Sequence, residues 1–142
     1  QNKNYLKSVT TKTNATQIVQ LQNKAAKFNI KTLEAYEKNA KTTYTVTFKN
    51  PNGKIIATYN NKGVIVKTIE EYVNVKSSKQ VVVEVLKSYP KSMIVGNIYK
   101  ILYSNKEKSK KLLEIIIKKE NKVETVFFDL GQKTNDFLLV KN

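Results

Sequence analysis

Two stretches of this chain repeat one strand, turn, strand pattern at the same spacing, and that duplication limits the folds open to it. In the first, Tyr44, Val46 and Phe48 alternate with Thr45 and Thr47, Asn50-Pro51-Asn52-Gly53 turns the chain, and residues 55–59 follow. In the second, Leu113, Ile115 and Ile117 alternate, Lys119-Glu120-Asn121-Lys122 turns, and residues 123–128 follow. The step from Phe48 to Tyr59 equals the step from Ile117 to Phe128, eleven residues in each. Alternation puts successive side chains on opposite faces of a strand, so each stretch reads as a half-buried hairpin.

A helical pattern precedes each stretch. Behind Asn14, a residue able to cap a helix, Ile18, Leu21, Ala25 and Phe28 recur at helical spacing. The second copy opens at Ser77, where Ser77-x-x-Gln80 fits a capping box, and Val82, Val85, Leu86 and Tyr89 form a stripe that Pro90 ends. Strands are expected at 31–37, 42–49, 54–60 and 64–72, then at 95–104, 111–118, 123–128 and 136–140. Asn and Gly in the turns, Gly131 in the last, supply the backbone freedom that hairpins need. Residues 105–110 read as a long charged loop.

The expected fold is therefore α+β: two tandem repeats of one helix plus a four-stranded antiparallel sheet, with the helices on one face of the sheet. A polar N-terminal arm would cover residues 1–13, the first repeat 14–76 and the second 77–142, fused into one domain.

Composition narrows the chemistry. Histidine, cysteine, arginine and tryptophan are all missing, which removes Ser-His-Asp and Cys-His nucleophiles, histidine and thiolate metal sites, and arginine clamps on phosphate. The four glycines make no phosphate-cradling run. Glu70 and Glu71 are adjacent and would face opposite sides of a strand, so they cannot act as a pair. The chain is read as a non-enzyme with no cofactor and no metal. Its 26 basic residues, all lysine, outnumber 11 acids. Lysine neutralises phosphate as a point charge, so salt-sensitive, non-specific polyanion binding stays open beside the plainer reading of a solvated surface. No apolar run approaches the ~20 residues that cross a bilayer, so a soluble chain is expected. A start at Gln1 without methionine or an apolar signal core fits a processed, exported precursor and fits a trimmed chain equally; with the first thirteen residues rich in Asn, Lys, Thr and Ser, export is the expectation.

The unit of helix, Tyr-Pro, then strands broken by Asn-x-x-Gly turns resembles the PepSY-like (beta-lactamase-inhibitor-like) family of secreted bacterial domains. The best-matching parts are residues 44–67, with turns Asn50-Pro51-Asn52-Gly53 and Asn60-Asn61-Lys62-Gly63, and the helix end Val85-Leu86-Lys87-Ser88-Tyr89-Pro90. Relatives commonly follow Tyr-Pro with Gly where this chain has Lys91. The resemblance implies a periplasmic or secreted tandem repeat that binds a protein or peptide of the cell envelope rather than performing catalysis.

Two binding surfaces follow as expectations. If one sheet face meets a protein or peptide, Tyr36, Tyr59, Tyr72, Tyr99 and Tyr103 are its expected anchors, because tyrosine combines an apolar ring with a polar tip. The alternative is a lysine-mediated contact with nucleic acid, anionic glycolipid or glycan, led by Lys106, Lys108, Lys110 and Lys111.

Overall fold

A computed structural model describes residues 2–11 and 15–130, together with the backbone of 137–140. Its strands form one antiparallel sheet in which spatial order follows chain order. They are β1 (Tyr44–Asn50), β2 (Gly53–Tyr59), β3 (Ile65–Val73), β4 (Met93–Ser104), β5 (Glu107–Lys119), β6 (Lys122–Leu130) and β7 (Phe137–Val140). Three helices accompany them: α1 (Lys3–Val9), α2 (Thr16–Lys27) and α3 (Lys79–Ser88).

The duplicated spacing has a simple cause. In one hairpin Tyr44 lies opposite Tyr59 and Asn50 opposite Gly53. In the other Leu113 lies opposite Phe128 and Lys119 opposite Lys122. Both are tight hairpins in the same register, but their tips differ. The first is closed by Asn50, whose side chain accepts from Asn52 N at 2.9 Å. The second places Glu120 in the left-handed region, at φ 56°. Gly53 has a separate duty: a Cβ there would collide with the ring of Tyr72 and the Glu71 carbonyl on β3.

The likeness ends at the hairpins, and two repeats of a helix plus four strands do not form. The sheet is a single meander. Where a strand was expected at 31–37, a 3₁₀ turn occupies Ile30–Thr32. The Asn29 side chain accepts from Lys31 N at 3.0 Å, and Thr32 Oγ1 donates to the Asn29 carbonyl at 2.7 Å. Those local bonds close a turn where a strand would need its backbone open. Only three strands therefore separate α2 from α3.

The stretch expected as a polar arm holds α1, with Tyr5 and Val9 one turn apart and both buried. This helix lies over strands of the second half. The Tyr5 ring meets Tyr103 edge-on at 5.2 Å, and Ser8 Oγ donates to Ser109 Oγ at 2.9 Å. Strands of the second half thus depend on the N-terminal helix for cover, so the two halves share one core.

Two local readings also shift. The α3 cap is Ser78, accepting from Val81 N at 3.2 Å, while Ser77 Oγ accepts from Asn97 Nδ2 at 3.3 Å. The expected loop at 105–110 shrinks to a tip, because Ser104 already pairs with Glu107 and β5 begins there. The Asn14 cap and the Gly131 turn lie outside the described residues.

All three helices sit on one face. Asn50 Nδ2 donates to the Gln17 carbonyl, Tyr59 OH donates to the Ala25 carbonyl at 2.6 Å, and Ser109 meets Ser8. Phe128 lines a cleft with Val81 and Val83 of α3. Alternation and register put Asn50, Tyr59, Ser109 and Phe128 on the same side of the sheet. On α2, Ile18, Leu21 and Ala25 face that side and are buried, each large side chain contributing ~1.5–3 kcal/mol.

Candidate functional site

Register assigns each strand residue to the covered or the open face. Across the middle of the covered face runs Phe48, Ile55, Glu70, Ile101 and Lys111, each beside the next. Glu70 is 0% exposed, with both carboxylate oxygens filled. Tyr72 OH donates to Oε1 at 2.6 Å and Gln22 Nε2 to the same oxygen at 3.1 Å. Tyr5 OH and Thr68 Oγ1 each donate to Oε2 at 2.8 Å. Donors from α1, α2 and β3 therefore converge on one carboxyl group. Burial pushes its pKa above the ordinary carboxylate value, and the four hydrogen bonds pull it back. Burial and the Glu70 charge together raise the hydroxyls of Tyr5 and Tyr72, so both stay protonated donors. Lys111, one strand beyond Ile101, is 5% exposed, and burial lowers its pKa against the pull of Glu70. Gln22 Oε1 is buried and has no hydrogen-bond partner among the described residues. A carboxylate closed off in this way ties two helices to the sheet.

The other face is different. One row across it holds Thr47, Ile56, Ile69, Leu102 and Lys110, and a second holds Lys54, Glu71, Lys100, Leu112 and Asp129. A third holds Val73, Ile98, Glu114 and Phe127. No helix covers these rows among the described residues, and Ile69, Leu102 and Val73 remain 36%, 39% and 44% exposed. Ion pairs cross the apolar ground: Lys54 Nζ lies 3.8 Å from Glu71 and Lys100 Nζ 2.7 Å from Glu114. Hydrogen bonding to Glu114 raises the Lys100 pKa and holds its charge.

The tyrosines expected as anchors divide sharply. Tyr59, Tyr72, Tyr99 and Tyr103 are buried on the helix-covered face, where they pack the core instead of meeting a partner. Tyr72 and Tyr99 rings lie 6.3 Å apart. Tyr36 alone is half-exposed, its ring 5.8 Å from Tyr44. Of the four lysines expected to lead a polyanion contact, Lys106, Lys108 and Lys110 are exposed. Lys111 points into the covered face and is withdrawn from any such contact.

The open-face residues were not singled out from sequence, yet a signal was there. Ile55-Ile56, Ile101-Leu102, Leu112-Leu113, Ile115-Ile116 and Phe127-Phe128 are apolar at both strand parities. Strands apolar on both faces are the pattern of a sheet covered on both sides. Here one side has no cover from the described helices.

No family model, curated protein or solved structure matches this chain. Among the described residues, no helix is long and apolar enough to cross a membrane, and no cluster of three or more Asp or Glu could hold a metal ion.

Proposed function

We propose that this chain is a non-enzymatic binding module that recognises a protein or peptide through the open face of its sheet. The observation that carries this reading is the apolar ground of Ile56, Ile69, Leu102, Ile98 and Val73, which no described helix covers and which the ion pairs of Lys54 and Lys100 cross. A partner that covers this ground removes apolar area from water, and the charges around it give register and orientation. The resemblance of the helix end and turns to PepSY-like domains supports a periplasmic or secreted setting.

The test uses the immobilised chain against an envelope extract, at low and high salt, beside an Ile69→Asp/Leu102→Asp variant. Both substitutions sit on the open face and leave the core intact. The reading expects a protein retained at high salt by the parent chain and lost by the variant. Equal capture by both removes the open face from the account.

A further inference from the structure

A second surface, at the far end of α2, has the opposite character. The end of that helix, the 3₁₀ turn, the loop around residues 36–41 and the β2–β3 tip enclose an open groove of about 980 Å³. Among the described residues five lysines line it, Lys27, Lys31, Lys38, Lys41 and Lys62, and no acidic side chain does. All five are exposed. The acids nearest in sequence, Glu34 and Glu37, are exposed and lie outside the lining.

The groove is fixed by asparagines. Asn2 donates from Nδ2 to the carbonyls of Ala26 and Gly63, both at 3.1 Å, and its Oδ1 accepts from Ile65 N at 2.8 Å. Asn61 Nδ2 donates to the Ala40 carbonyl at 2.6 Å. Asn60 Oδ1 accepts from Lys62 N at 2.9 Å and Val64 N at 3.0 Å. The helix end, the 36–41 loop and the tip are thereby tied together, so the lysines are carried on a set frame.

From this arrangement we infer that the groove binds an acidic polysaccharide chain bearing carboxylate or sulfate groups. A lone small anion gains little from one or two hydrated ammonium groups. A ligand that engages several lysines at once gains from releasing its condensed counterions. Nucleic acid fits less well, because a base needs a free ring to stack on. Here Phe28 already packs on Phe48 and Tyr59, with centroids 5.5 and 5.8 Å away, and Tyr36 packs on Tyr44. No arginine is present to supply a bidentate fork. Lys27 ends α2, where the carbonyl end of the helix dipole offsets its charge. The remaining four lysines carry the contact. This site is independent of the open sheet face and of its partner.

The test is a titration of the full chain with a heparin-derived octasaccharide, an oligogalacturonate and oligo-dT, over a range of salt. Two charge-matched variants accompany it: Lys31→Gln/Lys38→Gln/Lys41→Gln/Lys62→Gln in the groove, and Lys106→Gln/Lys108→Gln/Lys110→Gln/Lys119→Gln elsewhere. The groove variant is expected to lose glycan binding, with the slope of log affinity against log salt falling by about three, the value for four lost polyanion contacts. The control variant should keep most of the affinity. The two glycans tell sulfate from carboxylate as the preferred group. Equal losses in both variants would reduce the effect to net charge and overturn the site. Oligo-dT binding more tightly than either glycan would overturn the ligand class. Because every substituted lysine is exposed, unchanged unfolding midpoints are expected for both variants.

Discussion

Glu70 and Glu71 are chain neighbours on β3 and live in opposite settings. Glu70 points under the helices, excluded from water and holding four donors. Glu71 points to the open face, partly exposed, 3.8 Å from Lys54. The same carboxyl group is a structural hub on one side and a surface charge on the other. What separates them is the direction of the Cβ and whether a helix lies above it. A buried group without its partners costs far more than an exposed ion pair contributes, so the two faces should answer mutation very differently.

The sharpest way to break this contrast is Glu70→Leu. It leaves the hydroxyls of Tyr5, Thr68 and Tyr72 and the Gln22 amide without their acceptor. Each unsatisfied buried group costs about 1–3 kcal/mol, so chemical unfolding should show a loss of about 3 kcal/mol or more. Tyr72→Phe removes one donor and keeps the ring. A loss of about 1.5 kcal/mol is expected from that single bond to a carboxyl group, read from the urea midpoint.

A smaller difference should appear with pH. Burial raises the Glu70 pKa above its unfolded value, so the folded state holds this proton more tightly. Its contribution to stability is then full below the ordinary carboxylate range and declines as pH rises through the raised value. Tyr5, Tyr72 and Lys111 face the same group, so the comparison is made with Glu70→Gln, which keeps them all. The parent chain's stability relative to that variant should fall between acidic and neutral pH. A rise would mean that the four hydrogen bonds outweigh burial. Least affected should be Glu71→Gln, which costs under about 1 kcal/mol because its ion pair is exposed. A loss as large as that of Tyr72→Phe would erase the distinction between the faces.

Much of the sheet was legible because it depends on nearest neighbours in sequence. The alternation of Tyr44, Val46 and Phe48, and the Asn and Gly of the tips, specify hairpins without reference to the rest of the chain. Which face of a strand is covered depends on distant elements, and there the pattern misled. On β3 the parity of Ile69, Glu71 and Val73 looks no less core-like than that of Thr68, Glu70 and Tyr72, yet the second set is the buried one. The reason is that Tyr5 and Gln22, far away in sequence, bring the donors that make a buried glutamate acceptable. The same dependence took Tyr59, Tyr72, Tyr99 and Tyr103 into the core. Likewise β5 begins with Glu107, Ser109 and Lys111, which carry no apolar signal, and it forms because β4 offers a long partner edge. The α1 helix was hidden by its polar surroundings, although Tyr5 and Val9 stood one turn apart.

The most direct test of two faces with opposite fates is carbodiimide labelling of the native protein's carboxyl groups, located by fragmentation mass spectrometry. Glu71 should be labelled in the folded chain, while Glu70 should stay unmodified until denaturant unfolds it. Labelling of Glu70 at the rate of Glu71 under native conditions would contradict the account.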